Sequence, residues 1–326
     1  MFEINPSQAK MWSRLGSRAT FGAAMLELCQ ADEKVLVASA DLVGSSGLDR
    51  LRKASPEKII NVGIAEQNLI GVAAGLAREG FTVFATSFAP FIALRASEQI
   101  RMNLGYMRAN VKAIGLGGGL AMAHLGNSHY GLEDVAVMRA IPNLAILCPA
   151  DGAEIHKAVF AAAAHEGPVY LRLSGAVNMP VVYQEDYDYT IGRAITLRQG
   201  RDLAIIAAGS MVHQALKAAE RLAESGLDCS VINMHTIKPL DIQSLEDISR
   251  KVKALVTVEE HSVIGGLGSA VAEWLSQKDS RPPHLMLGLP DKFGPSGDYN
   301  YLLEKYALTG EGIAGSIGKF FNCHTK

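Results

Sequence analysis

Glu66 is the residue in this chain best suited to handle a proton. It lies in the run Ile60-Asn61-Val62-Gly63-Ile64-Ala65-Glu66-Gln67, which reads as the end of a buried strand, a glycine turn and the first turn of a helix. The helix continues through Gly71, Ala73, Ala74, Gly75 and Ala77, residues small and apolar enough to let another backbone approach and to displace water. A carboxylate in that setting has its charged form disfavoured, so its pKa is expected to rise, and an acid of that kind can hold or exchange a proton with a buried partner. The competing reading is a first-turn glutamate favoured only by the helix macrodipole. Phe88 and Phe91, three apart near a second helix start, share one face and offer either a ring-stacking wall or two ordinary core side chains. Gly126-Asn127-Ser128-His129-Tyr130-Gly131 is a polar loop ahead of a helix, and its histidine is either solvated or a proton relay.

Other residue clusters offer less. The glycines at 117–119 fail the dinucleotide spacing because position 120 is leucine. Gly265-Gly266-Leu267-Gly268 before a helix allows an anion cradle or, more simply, a tight turn. His235 and His261 sit at no metal-ligand spacing and read as structural, so no metal ligand is assigned on this chain. Cys29, Cys148, Cys229 and Cys323 are far apart, which suggests reduced thiols rather than a disulfide framework or a zinc site.

The elements that must position these groups alternate. An amphipathic helix over 17–30 precedes a strand over 35–38, which opens into Ser39-Ala40-Asp41-Leu42-Val43-Gly44-Ser45-Ser46-Gly47, a small-residue loop where open α/β sheets bind ligands. Further strands are expected over 58–62, 81–86, 111–115, 144–148 and 169–173, with a helix over 90–104 and another capped by Asp151 with Glu154 at the capping-box spacing. The acidic, aromatic stretch Tyr183-Gln184-Glu185-Asp186-Tyr187-Asp188-Tyr189 reads as a linker. After it come strands over 191–197, 203–208, 229–234, 254–259 and 284–287, with helices over 212–224, 241–251, 268–276 and 299–306. The fold class is α/β: two consecutive domains, 1–185 and 186–326, each a mostly parallel sheet flanked by helices.

At 326 residues and 48% hydrophobic, the chain can bury two cores. Its net charge of −2 gives no hint of nucleic acid or an anionic membrane as partner. Met1-Phe2-Glu3-Ile4-Asn5-Pro6 lacks a signal-peptide pattern, and no apolar run approaches the roughly 20 residues of a membrane span, so a cytoplasmic protein is expected.

Several stretches, in order, resemble transketolases: Ser39-Ala40-Asp41, Gly63-Ile64-Ala65-Glu66-Gln67, Thr86-Ser87-Phe88, Gln99-Ile100-Arg101-Met102, Leu132-Glu133-Asp134, Thr236-Ile237-Lys238-Pro239-Leu240-Asp241, and Glu259-Glu260-His261 with Gly265-Gly266-Leu267-Gly268-Ser269. The first domain is similar to the pyrimidine-binding domain of those thiamine-diphosphate enzymes and the second to their C-terminal domain. The resemblance implies that Glu66 hydrogen-bonds a ring nitrogen of the aminopyrimidine, that Phe88 and Phe91 stack on that ring, and that Ile64 and Asp41 complete the cofactor pocket. It implies substrate contacts by Ser128, His129, Arg18 and Ser45, with His129 also relaying protons. It further implies transfer of a two-carbon ketol unit from a ketose to an aldose.

The sequence also departs from that family. The Gly-Asp-Gly stretch that binds the diphosphate through Mg2+ or Ca2+ occurs nowhere in the chain. A separate N-terminal subunit is therefore expected to supply it, in an α2β2 assembly in which this chain also self-associates through its pyrimidine-binding and C-terminal domains. Leu125 stands where many transketolases carry an aspartate that reads donor stereochemistry, Gly117 where they carry a substrate histidine, and Gly175 where they carry a phosphate-clamping arginine, for which Arg172 is the candidate substitute. A third aromatic is replaced by Leu94. These losses point to a modified, branched or carrier-linked sugar rather than an ordinary pentose phosphate. Two rivals stay open: the beta subunit of a 2-oxo-acid dehydrogenase decarboxylase, separable by a lipoyl-acceptor assay, and a non-catalytic paralogue.

Overall fold

The computed structural model describes residues 4–175 and 177–324; Met1 to Glu3, part of the stretch considered for a leader, lie outside them. Two α/β layers follow one another, as the alternation of apolar runs and amphipathic segments requires. The first sheet comprises β1 (Val35–Ser39), β2 (Ile59–Asn61), β3 (Thr82–Phe88), β4 (Val111–Gly118), β5 (Ala145–Leu147) and β6 (Val169–Ser174), all parallel. The second contains β7 (Ile195–Arg198), β8 (Leu203–Ala207), β9 (Cys229–Asn233), β11 (Ala254–Ser262) and β12 (His284–Leu289), parallel except for β7. The central strands β4, β8 and β9 are buried along their whole length, and β8 accordingly reads as a continuous apolar run rather than an alternating one.

The two layers are stitched together by an element whose sequence reads as a turn. Thr236–Lys238 forms β10, which leaves the second layer and pairs antiparallel with β5, giving the first sheet the order β10-β5-β6-β4-β3-β1-β2. Lys238 Nζ donates to the carbonyls of Arg139 (2.9 Å) and Ile141 (2.5 Å), pinning the strand from its far end. The stretch 183–189 is likewise no free linker. Tyr183 and Tyr187 stack at 3.8 Å, Tyr189 stacks on His235 at 4.3 Å, and Asp151 accepts from the Val182 and Tyr183 amides.

Several boundaries differ from expectation for local reasons. The first helix runs from Pro6 to Ala31, started by a capping box between Asn5 and Gln8, and breaks at Gly16 (φ 76°) so that Trp12 and Phe21 both reach buried sites. The helix expected over 90–104 is a segment over 91–106 dominated by widened, π-helical turns. A final helix, Gly310–His324, escapes the sequence pattern because Gly310, Gly312, Gly315 and Gly318 depress its propensity; Ile313 and Ile317 bury one face of it. The strand expected from Ile191 starts instead at Ile195, after Gly192 takes φ 86° to donate its amide to Thr236 Oγ1. No helix among the described residues is long and apolar enough to cross a membrane.

Candidate functional site

At the C-terminal edge of the first sheet, β1 and β2 end side by side, and one amide splints the two loops that leave them. Asn61 Oδ1 accepts from the Asp41 and Gly63 amides (3.0 and 3.1 Å), and its Nδ2 donates to Asp41 Oδ1 at 3.0 Å. Asp41 is thereby held with φ 60°, a left-handed conformation that Asp tolerates better than most residues. Gly63, at φ 76°, turns the chain into the helix Glu66–Arg78. Ile64 is left 80% exposed beside it.

Glu66 itself is 2% exposed, as its apolar helix predicts, but its electrostatics run opposite to the expectation. Burial pushes the carboxyl up; hydrogen bonds from Arg95 Nη1 (2.8 Å to Oε2), from its own backbone amide and from Ser87 Oγ (3.0 Å to Oε1), together with the guanidinium charge, outweigh it. The net pKa lies below the ordinary value, so Glu66 is a carboxylate in this chain and not a neutral acid. Nothing in the sequence marks Arg95 as its partner. The Arg95 side chain, 48% exposed, also lies over the Phe91 ring at 4.2 Å, a cation–π contact.

Phe88, at the end of β3, and Phe91, one helical turn on, meet edge to face with centroids 5.8 Å apart. His129 closes the group, 5.6 Å from Phe88 and 5.1 Å from Phe91, on the loop that sequence spacing alone could not connect to them. Ser128 Oγ donates to the Leu125 carbonyl (3.3 Å) and lies 3.0 Å from His129 Nδ1. In the tautomer where this hydroxyl gives its proton to Leu125 and accepts from Nδ1–H, Nε2 is the free acceptor of the ring. Glu66, Arg95, Phe91, Phe88 and His129 therefore form one continuous cluster.

Beside it opens a cavity of about 630 Å³ lined by Arg18, Ser45, Gly117, His124, Leu125 and Asp298, among others. Arg18 Nη1 donates to the Ser45 carbonyl at 3.2 Å. A Cβ added at Gly117 would stand 2.7 Å from Met122 and 3.8 Å from Phe88, so Gly117 marks where the cavity meets the aromatic cluster. The family departures at 117, 125 and 175 all line this cavity, as does His124, a candidate ligand that no sequence motif singles out.

Arg172 does not. Its guanidinium is buried, with Nε donating to Asp134 Oδ2 (2.8 Å) and Nη2 to the carbonyls of Gly131 (2.7 Å) and Glu260 (2.9 Å). The candidate substitute for the phosphate clamp is thus committed to joining the two layers, and the substrate role expected of it is withdrawn. His261, driven down to about 4 by burial, faces the same Asp134 at 3.9 Å. The glycine turn at 265–268 holds a carboxyl of the protein's own, pushed up to about 7 by burial: Glu259 accepts the Leu267 and Gly268 amides at 2.7 and 2.8 Å. Among the described residues no group of three or more His, Cys, Asp or Glu is arranged to hold a metal ion.

Comparison with known proteins agrees along the chain. The family model described as the transketolase pyrimidine binding domain matches residues 14–177, and that of the transketolase C-terminal domain matches 192–313. The chain is 40% identical over 298 residues to the 6-deoxy-6-sulfo-D-fructose transketolase subunit SqwH of Clostridium sp. (strain MSTE9), covering 91% of each. It is 36% identical over 307 residues to one of the subunits of the apulose-4-phosphate transketolase of Phocaeicola vulgatus, covering 94% of this chain and 97% of that one. A solved structure described as a split gene transketolase, inactive beta4 tetramer, superposes with a TM-score of 0.84 at 42% identity, over 93% of this chain and 97% of the other.

Proposed function

This chain belongs to the transketolase family, as its pyrimidine-binding and C-terminal domains, and from that premise we propose that it is the C-terminal subunit of a two-chain, thiamine-diphosphate-dependent transketolase. The observation that carries the reading is the buried Glu66 carboxylate joined through Arg95 to the Phe88–Phe91–His129 cluster. An aminopyrimidine needs such a donor set: one carboxyl for a ring nitrogen, and aromatic faces that exclude water. When bound, thiamine diphosphate supplies a nucleophilic carbon able to carry the two-carbon unit between ketose and aldehyde.

The chain's own residues do the rest. Glu66 holds a proton against the ring nitrogen, which requires Arg95 to release Oε2; burial then favours the neutral acid. Phe88 and Phe91 fix the ring plane, with Ile64 and Asp41 at the rim. His129, its Nδ1 engaged by Ser128, offers Nε2 to a substrate hydroxyl. Arg18 and Ser45 face the distal end of the sugar in the adjoining cavity.

The diphosphate and its Mg2+ or Ca2+ fall to a partner chain with the Gly-Asp-Gly motif, in an α2β2 assembly in the cytoplasm. Relatives of matching length that are named as subunits support this division. The substrate is a modified or branched sugar rather than a plain pentose phosphate. Leu125, Gly117 and Gly175 on the cavity wall support that, as do relatives named for a sulfonated and an unusual phosphorylated sugar.

Co-expression with the partner and assay of ketol transfer from hydroxypyruvate tests the reading. Glu66→Gln should lower kcat by roughly 10²- to 10⁴-fold, the usual contribution of a positioned acid. Turnover by the lone chain, or indifference to Glu66→Gln, would contradict it. Efficient use of xylulose 5-phosphate with ribose 5-phosphate would remove the substrate reading alone.

A further inference from the structure

The loop that carries His129 is closed at its base and braced from outside. Gly119 and Gly131 exchange amide-to-carbonyl hydrogen bonds of 2.8 and 3.1 Å, so residues 119–131 form a compact loop standing on β4. Its outer side is braced by the second layer. Asn127 clamps one residue of the 290–298 segment from both directions: Nδ2 donates to the Gly294 carbonyl at 2.7 Å, and Oδ1 accepts the Gly294 amide at 3.2 Å. The Tyr130 hydroxyl lies 3.0 Å from the Pro295 carbonyl, and the Gly297 amide donates to the Ala123 carbonyl at 3.2 Å. Deeper in, Glu260 accepts from the Leu120 amide (2.6 Å) and the Tyr299 hydroxyl (2.7 Å), tying the start of the loop to the same segment.

The braced segment also reaches the cavity. Asp298 and Tyr299 line it together with Arg18, Ser45 and His124. Asp298 caps the helix Tyr299–Lys305 with Oδ1, accepting from the Asn300 and Tyr301 amides. A carboxylate has two oxygens and accepts on both, so a cap made by one leaves capacity for a ligand hydroxyl.

We infer that the second domain builds one wall of the substrate cavity, and that Asn127 is the positioning residue through which it fixes the His129 loop against that wall. The inference rests on the transketolase reading for the identity of the ligand, a polyhydroxylated sugar, but assigns the second domain a part in sugar recognition which that reading leaves to the first. The geometry explains the amide at 127. A backbone N–H and C=O of one residue present a donor and an acceptor together, and Asn carries both complements within a single side chain, whereas an ionised Asp offers acceptors only.

The test uses the complex with the diphosphate-binding partner, with hydroxypyruvate saturating as donor and D-glyceraldehyde or D-glyceraldehyde 3-phosphate as acceptor. Asn127→Ala removes two hydrogen bonds outside the reacting centre, so KM for the acceptor should rise about tenfold while kcat stays within about twofold. Asn127→Asp keeps an acceptor for Gly294 N but turns a second acceptor oxygen toward the Gly294 carbonyl, so acceptor KM should rise at least as far as in Asn127→Ala. Asp298→Asn preserves the cap and should raise acceptor KM without lowering the melting temperature. Hydrogen exchange on the full chain alone gives an independent readout: in Asn127→Ala, protection should drop in 119–131 and 290–298 together and nowhere else. Unchanged acceptor KM in either Asn127→Ala or Asp298→Asn, or a kcat loss that follows thermal stability, overturns the inference; so does loosening confined to one of the two segments. If the wild-type complex shows no ketol transfer, the proposed function fails and the exchange experiment still decides whether Asn127 couples the two segments.

Discussion

At the scale of single residues, the decisive contact is Arg95 on Glu66. The apolar helix around Glu66 argues for a neutral acid, and burial does push in that direction, yet one half-exposed guanidinium, the residue's own backbone amide and one hydroxyl reverse the sign. Arg95→Gln should therefore raise the Glu66 carboxyl pKa, readable as its ¹³C carboxyl titration in the lone chain. The stability consequence has a definite sign. In the wild type the folded value is depressed, so the stabilisation from ionised Glu66 is present above the ordinary 4.5 and is lost as pH falls through the depressed value. With Arg95 gone that loss begins at higher pH, and the acid-unfolding midpoint moves upward. A titration unmoved by Arg95→Gln would mean that the helix start and Ser87 alone hold the carboxylate, and that Arg95 has no part in controlling its proton.

At the scale of elements, the junction between the layers concentrates buried charge. Glu154, in the first turn of the helix Gly152–Ala164, is pushed up to about 8 by burial, against hydrogen bonds from Asn233 Nδ2 (2.9 Å to each oxygen) and the Ala150 amide (2.7 Å). A carboxyl whose folded pKa is raised from 4.5 stabilises most in its protonated form, so its contribution is fullest below 4.5 and drains away as pH rises towards about 8. Glu154→Gln should flatten the decline of melting temperature between those pH values while leaving β9 docked; an unchanged slope would place the ionisation elsewhere. The Asp151 cap of this helix is legible in the sequence because a cap is a local spacing, and Asp151 Oδ1 does accept the Glu154 amide at 2.9 Å. Strand positions are legible for the same reason, each being a short apolar run bounded by turn residues. β10 is not, because three residues cannot announce a partner strand some ninety positions earlier, and the helix over 310–324 is not, because its glycines mask its periodicity. At the site, residue types leave Glu66, Phe88, Phe91 and His129 open between ordinary and functional readings and only the transketolase resemblance singles them out, while Arg95 and His124 depend on how separate elements cross, which no local pattern carries.

At the scale of the whole molecule, the exposed face of the helix Glu66–Arg78 is unfinished in the lone chain. Gly71 and Gly75, one turn apart, have nothing within 4 Å of where a Cβ would stand. On the adjoining segment Tyr106 is 78% exposed, with Leu94, Met102 and Met107 also open to solvent. Glycine inside a helix costs about 1 kcal/mol relative to alanine, and two such positions on a solvated face bring the isolated chain no packing in return. They make sense if a second backbone comes close there, as the two-chain proposal requires. Gly71→Arg separates the two situations. In the lone chain a Cβ at 71 has nothing within 4 Å and the change improves helix propensity by about 0.8 kcal/mol, so the melting temperature should hold or rise slightly. In the proposed assembly the same side chain would occupy the space of the partner, so co-purification with the diphosphate-binding chain and ketol-transfer activity should both be lost. A drop in lone-chain stability would show that the face already packs within one chain, and a fully active Gly71→Arg complex would place the partner on another surface.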